Sequence, residues 1–549
     1  MSIFSIGVSG MNTAQRALAA TSNNIANVYT PGYNREVPLL SENRSGPGVN
    51  AAAVERQFDR FIATQLNSSI STSSGLETYA QQINQLDNLL ADRDAGLAPM
   101  MQNFFASVQK LVAAPSDPAA RQGVLGTADT LTAQFRAFDN YLQSMRTSID
   151  GQIETGVQQI NTLAEQLAGI NRDISLARAK TNAEPNTLLN QRDQLVTDLS
   201  RLIDVRVIEQ DGASYNVTIG NGIALVAGSD SFKLQAMPAA ADPTRTVVGY
   251  RDGSGNLFEL RESNFRGGEL GGVLAFRSET LDKVQNQLGQ IAVSLAVGFN
   301  EQHQQGFDAN GLPGQAMFKL ADPQVPVFGN ARNTGTATLS ATFDTAKIDQ
   351  LSSADYEIRY SGGEYTVTRL DTGVASKVMP DAEGTLSFGG LNVTVAGTLG
   401  EGDRFQLQPL RRAAGSISNI ITNPGKLAAD GGSLDESTGL LQPTGPGNNA
   451  NALKLLNLQS SKLVGGSASL SDAYAGIVGD VGNRTAVVEV NLTSQQGLST
   501  QLKALQQSES GVNLDEEGAN LMRYQRYYQA NAKVIEIGSS ILDTLLNLR

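Results

Sequence analysis

The chain has 549 residues, with 41 lysines and arginines against 54 aspartates and glutamates, and a formal net charge of −13. It has no cysteine and a single histidine, His303, which excludes disulfides, thiolate metal sites, cysteine nucleophiles and histidine-rich zinc sites. The acidic balance argues against nucleic acid as a partner, because phosphate contacts need clustered basic residues, and no apolar run is long enough to insert into a membrane.

The length favours roughly three to four domains. The first residues, MSIFSIGVSGMNTAQ, lack the basic start and continuous apolar stretch of a cleaved signal peptide. Export, if it occurs, is expected to follow a route without signal cleavage. From Ser2 to about Val28 the spacing predicts one helix, with Phe4, Met11, Leu18 and Ile25 recurring every seven residues and Arg16 as its only charge. A strict seven-residue apolar repeat makes a narrow seam that wants a partner. Alone in water such a helix has little to hold it, so it is expected to be disordered in the free monomer. Thr30-Pro31-Gly32-Tyr33 ends it: Pro31 pushes Thr30 out of the helical region, and Pro then Gly fits a type II turn.

Ile83, Leu86, Leu90, Leu97, Met101, Phe104, Val108 and Leu111 form a helical stripe, with Pro99 marking the first turn of a new helix and Pro115 and Pro118 ending it. A second stripe from Leu131 to Ile174 predicts a helix over about Ala119–Lys180, roughly 90 Å long at 1.5 Å per residue. A further helix is expected over Asn186–Ile203. The period then changes to two. Val205, Val207, Tyr215, Val217 and Ile219 read as strands around Asp211-Gly212, Gly220–Gly272 as irregular β structure, and Ser278–Glu301 as helix. Thr334–Pro409 reads as a β-rich insert, with a hairpin across Ser361-Gly362-Gly363. After a loop-rich stretch over Pro424–Gly447, helices resume near Ala450 and over Ala473–Gln507. The last helix carries Leu514, Leu521, Tyr528, Ile535 and Leu542 at seven-residue spacing, flanked by Tyr527, Val534, Ile541 and Leu548.

The expected fold is mainly α with β. It is nested: a terminal coiled coil from 1–35 plus 510–549, a long-helix inner domain with some strands from 36–330 plus 411–509, and an outer β domain at 331–410. The surface expected to carry assembly comprises both seams together with Asn27, Thr30, Pro31, Gly32, Tyr33, Tyr524 and Leu545.

No catalytic constellation emerges. His303, with Glu301 and Asp308 near it, could serve as a general base, but at a helix end it reads as a surface or capping residue. Asp252-Gly-Ser-Gly-Asn256 and Asp308-Ala-Asn310-Gly311 lack the spacing and twelfth-position glutamate of an EF-hand loop and read as turns. Gly476, Gly479 and Gly482 do not follow a strand, so they make no phosphate cradle. No cofactor or metal is expected.

Two stretches carry a specific resemblance. Ser22-Asn-Asn-Ile-Ala-Asn-Val-Tyr-Thr-Pro-Gly-Tyr-Asn-Arg35 resembles the N-terminal signature of bacterial flagellar axial proteins (rod, hook and hook-associated), and Asn520-Leu-Met-Arg-Tyr-Gln-Arg-Tyr-Tyr-Gln-Ala-Asn-Ala-Lys-Val-Ile535, with Leu542–Arg549, resembles their C-terminal signature. Leu189–Leu195, Tyr215–Gly222, Gly267–Gly272 and Asn300–His303 are similar to the inner domain of hook-associated subunits at the proximal hook–filament junction. The resemblance implies a non-enzymatic structural adaptor, exported unfolded through the flagellar type III apparatus and assembled as a homo-oligomeric ring whose terminal helices line a channel. It also implies hook protein below, a second junction protein above, and an export chaperone on the C-terminal helix. The helical region at 80–203 argues against hook protein itself and the Thr30–Tyr33 motif against a flagellin. The rival from another class is a secreted adhesin or enzyme carried by the β insert.

Overall fold

The computed structural model describes residues 3–42, 48–92, 96–181, 183–210, 214–220, 222–320, 325–435 and 439–547, apart from the side chains of 51, 52, 181 and 545. The expected turn Asp211-Gly212, the seam residue Leu548 and the side chain of Leu545 lie outside the described residues.

Helix α1 spans Ile3–Ala26 and is followed by a hairpin of β1 (Glu36–Glu42) and β2 (Val49–Arg56). Helix α2 (Arg60–Leu90) starts on Asp59, whose side chain accepts from the amides of Phe61 and Ile62 at 2.7 and 3.0 Å. The hairpin and the first half of α2 are absent from the sequence expectation. The run Asn67-Ser-Ser-Ile-Ser-Thr-Ser-Ser-Gly75 has poor helix formers and no apolar stripe. Close packing makes it helical: a Cβ on Gly272 would lie 2.2 Å from the carbonyl oxygen of Gly75.

Helix α3 (Leu97–Ala113) carries Pro99 in its first turn, as its spacing predicts. Helix α4 runs for 64 residues, Pro118–Thr181, about 96 Å at the standard rise. Asp117 caps it through the amides of Ala119 and Ala120. Its stripe, including Leu131, Phe135, Leu142, Ile149, Ile160 and Ile174, is buried along the whole length. Helix α5 (Asn186–Leu202) folds back on α4.

Two small antiparallel sheets lie within 205–231 and 234–259: the strands expected at 205–209 and 215–219 are present, and the stretch from Gly220, expected to be irregular, is ordered into further strands. The helix expected from Ser278 begins ten residues earlier. Helix α6 (Gly268–Phe276), a π-turn (Arg277–Leu281) and α7 (Asp282–Gln304) form one continuous run. The glycine-rich start disguises it, yet Gly268 is required there: its φ is +70°, and a Cβ would sit 2.3 Å from the amide nitrogen of Ile203.

The β-rich region contains a five-stranded and a three-stranded antiparallel sheet that share a core of Phe343, Tyr356, Ile358, Leu391, Val393 and Phe405. The hairpin of 356–361 with 364–369 turns on Gly362 and Gly363, both at positive φ, as the two-residue loop predicts. After a short helical turn, α8 (Ala413–Ser416), come α9 (Ala450–Asn457), α10 (Leu470–Ser510) and α11 (Leu514–Asn547). Helix α10 lies antiparallel along α2: Tyr474 reaches the Leu90 carbonyl at 2.9 Å and Gln495 reaches Ser69.

The main apolar core is built by α2–α7, α9, α10 and the small sheets, and a second core fills the β-rich region. Among the described residues, neither core includes a residue of α1 or α11.

Candidate assembly site formed by the two chain ends

Helices α1 and α11 lie antiparallel against each other. Ile3 and Phe4 meet Gly538, Gly7 meets Ile535, Gly10 meets Asn531, and Asn24 meets Glu517. The buried stripe of α1 is Gly7, Gly10, Ala14, Ala17, Thr21 and Asn24, small residues at spacings of three and four. They let the backbones approach closely. A Cβ would come within 2.2 Å of Asn531 at Gly10, 2.6 Å of Ile535 at Gly7 and 2.5 Å of Ile3 at Gly538.

This corrects the phase of the expected seam. Phe4, Met11, Leu18 and Ile25 form a half-buried ridge beside the contact rather than its centre. On α11 the buried positions are Glu517, Tyr524 and Gly538, while Leu521 and Ile535 are half-buried. Leu514, Tyr528 and Leu542 remain 45%, 38% and 46% exposed. The heptad repeats are real, but large side chains at the contact line would hold the helices apart, so small ones occupy it. The β1–β2 hairpin lies against α1, where Thr13 Oγ1 donates to the Val49 carbonyl at 3.2 Å. At about 100° per residue, Met11 projects about 160° away from Thr13. The ridge therefore lies on the side of α1 facing away from the hairpin.

A polar clamp closes the foot of the pair. Glu517 is 1% exposed. Arg35 donates to its Oε1 from Nε at 2.8 Å and from Nη2 at 2.7 Å, and to Glu516 from Nη1 at 2.8 Å. Asn24 donates to Glu517 at 3.1 Å and to the Glu36 carbonyl at 2.9 Å, while accepting from the Glu36 amide and the Tyr33 hydroxyl, each at 2.8 Å. Burial, with Glu36 and Glu517 close by, pushes the Tyr33 hydroxyl far above its ordinary pKa. It stays a neutral donor. The sequence expectation contains Tyr33 but omits Asn24, Arg35, Glu516 and Glu517. The available signal was a lone arginine just past the first seam and three consecutive acids, Asp515-Glu516-Glu517, opening the last helix.

Thr30–Tyr33 forms the expected turn: the Tyr33 amide donates to the Thr30 carbonyl at 3.2 Å and Gly32 has φ +75°. Asn27 braces it, donating to the Asn23 carbonyl and accepting from Thr30. Pro31 and Gly32 are exposed and Tyr29 is 89% exposed. Contacts to the helical body are polar: Asn34 to Asn190 at 2.8 Å, and Arg56 to Asp193 at 2.5 Å. Clefts of about 790 and 710 Å³ flank the turn. The second is lined largely by carboxamides and hydroxyls, including Asn23, Asn27, Gln166, Gln191 and Gln194, with Asp173 as its one carboxylate.

His303 is fully buried, which corrects its reading as a surface or capping residue. Its Nδ1 donates to the Gln315 carbonyl at 2.6 Å and its Nε2 accepts from the Ala428 amide at 2.9 Å. Those partners fix one neutral tautomer, and burial pulls its pKa down to about 4. The group pins a loop to α7. Asp252 and Asp308 each accept from amides two and four residues ahead, the geometry of Asx turns.

Comparison with known proteins decides the family. A model of the flagellar hook-associated protein FlgK helical domain matches residues 83–318. A hook-associated protein 1 D2-like domain matches 328–409, and flagellar basal body rod families match 4–34 and 504–548. Flagellar hook-associated protein 1 of Escherichia coli K12 is 41% identical over the full length of both chains. The chain belongs to the flagellar hook-associated protein 1 family. The Salmonella typhimurium member is 40% identical, also over both full lengths, and that of Bacillus subtilis is 25% identical over 98% of this chain and 97% of its own. The flagellar hook junction protein FlgK from Burkholderia pseudomallei superposes with a TM-score of 0.75 at 28% identity, covering 81% of this chain and all of that one. Members of the family are structural flagellar proteins, not enzymes, and no helix among the described residues is long and apolar enough to cross a membrane.

Proposed function

We propose that this chain is a structural adaptor of the bacterial flagellum that joins the distal hook to the filament as a ring of copies held by their terminal helices. The observation that carries the reading is the outer face of the α1–α11 pair. Leu514, Tyr528, Ile537, Ile541 and Leu542 stay exposed on α11, and Ile3 and Ile6 on α1. Large apolar side chains left exposed along both flanks of the pair mark an interaction surface. Contact within the chain buries mainly glycine and alanine, which supply little apolar area. Burial between neighbouring copies completes the pair.

On this reading the assembly surface comprises Phe4, Met11, Leu18, Ile25, Leu514, Leu521, Tyr524, Tyr528, Ile535, Leu542 and Leu545, with Asn27 and Thr30–Tyr33 setting the angle to the body. Residues 1–35 plus 510–549 form the channel-lining unit, 36–330 plus 411–509 the inner body and 331–410 the outer β domain. Hook protein lies below and a second junction protein above. Before export without signal cleavage, a chaperone covers the α11 face. The test is electron microscopy of a deletion strain carrying Leu542→Asp. Hooks without filaments, with flagellin released to the medium, is the expected result; normal filaments would refute the reading.

A further inference from the structure

The root of the β-rich region carries an ion network that the assembly reading does not use. Asp282, at the C-terminal end of the π-turn, accepts from Arg245 Nη1 and from Arg411 Nη1, each at 2.6 Å. Arg411 also pairs with Asp355, and Asp242 accepts from both Gln408 at 2.8 Å and Arg146 at 3.2 Å. Asp355 and Gln408 belong to the β-rich region, and Arg411 to the segment by which the chain leaves it for the helical body. Arg146 belongs to α4 and Asp282 to the π-turn junction. Two ionic links thus tie the insert to the helical body, beside hydrogen bonds from Asn286 to Asp355 at 3.1 Å, from Gln290 to the Leu351 carbonyl at 2.6 Å and from the Ala331 amide to the Ala240 carbonyl at 2.8 Å.

The π-turn makes the arrangement possible. The Asp282 amide donates to the Arg277 carbonyl, a bond spanning five residues, which stacks positions five apart on one side of the helix. Arg277 and Asp282 therefore reach the same network, Arg277 through Glu262 at 2.7 Å and Asp150 at 3.1 Å. In an unbroken α-helix they would diverge by about 140°. Arg277 and Arg411 are 0% and 3% exposed. Burial opposes ionisation of Asp282, but Arg245 and Arg411 hold its carboxyl well below the usual range.

The network is incompletely satisfied. Arg277 Nε, Arg411 Nε, Asn286 Oδ1 and both amide atoms of Gln285 have no partner among the described protein atoms. A buried ion network with unmet groups stabilises little more than an apolar patch of the same shape. Its bonds are directional, however, whereas the adjoining apolar contact of Val293 and Val297 with the insert core tolerates sliding.

We propose that this network is an orientation lock, which fixes the angle of the β-rich insert on the helical body and makes the insert a rigid arm. Without it the insert stays folded and attached by the apolar contact and the few neutral hydrogen bonds of Gln290 and Ala331, but its angle widens into a range. The claim is independent of what the flagellar assembly does with the arm.

The absence of cysteine permits unique spin labels on the full chain at two exposed sites, Thr147→Cys on α4 and Thr372→Cys on the insert. In the parent the interlabel distance distribution is expected to be narrow and single. Asp282→Asn and Arg411→Met are expected to broaden it at least twofold with unchanged far-ultraviolet circular dichroism, and Arg404→Met, on an exposed pair within the insert, to leave it unchanged. Should either central variant fail to fold, Gln408→Leu, which cuts only the Asp242 link, is expected to broaden the distribution. An unaltered distribution in every folded variant would overturn the proposal.

Discussion

The α1–α11 pair and the root of the β-rich insert are both junctions, and they are built from opposite materials. The terminal pair meets along glycine, alanine and threonine, shares no residue with either main core among the described residues, and leaves several large apolar side chains exposed. The insert root buries arginines and aspartates that face one another. The first arrangement is adhesive and unfinished, suited to gaining contacts from other molecules. The second is directional and internal to the chain, suited to holding an angle. A long protein that must both polymerise and keep its shape separates the two tasks.

The comparison breaks most completely if the close approach of the chain ends is removed. Gly10→Leu drives a side chain into Asn531, and complete loss of filament attachment is expected, with α1 failing to gain amide-exchange protection when the variant is mixed with hooks. Gly123→Ala on α4, where a Cβ meets nothing within 4 Å, is the control and should raise stability by up to about 1 kcal/mol.

Next in size is the clamp. Glu517→Ala leaves Arg35 and Asn24 without their buried partner and should cost about 3 kcal/mol locally, read as faster amide exchange over residues 24–36. Glu516→Ala removes only the exposed half of the bridge, a cost under about 1 kcal/mol.

His303 sharpens the contrast, because it acts in the body alone. Its folded pKa, about 4, lies below the unfolded value of 6.5, so the unfolded chain binds the extra proton between them. The stabilisation is complete above about pH 6.5 and is lost as pH falls toward 4, at most about 3 kcal/mol. The urea midpoint should fall over that window in the parent and respond less in His303→Gln, with the terminal pair unaffected in both. The smallest expected effect is Tyr33→Phe, which removes the hydroxyl's bond to Asn24 and the longer one it accepts from Asn23, and about 1 kcal/mol.

Large apolar side chains at regular spacing were legible in the sequence, and small ones were not. The stripe from Leu131 to Ile174 placed α4 to within a residue at each end, and Gly362-Gly363 placed a hairpin turn. The same habit put the terminal seam on Phe4, Met11, Leu18 and Ile25, when the contact belongs to Gly7, Gly10, Ala14 and Ala17. It also passed over the serine-rich start of α2 and the glycine-rich start of α6, which are helical because their backbones pack closely against other elements. Periodicity reports what a helix can bury, whereas a close-packed interface is set by how little side chain stands in the way. The clamp was hidden for another reason: Arg35 and Glu517 are separated by most of the chain, and nothing local announces a buried ion pair.

Amide hydrogen exchange on α1 and α11, compared between the isolated chain and the chain assembled on hooks, tests the central claim most directly. If neighbouring copies complete the terminal pair, both helices exchange rapidly in the isolated protein and become strongly protected on assembly, while α4 is protected in both states. Equal, strong protection of α1 and α11 before and after assembly would contradict it.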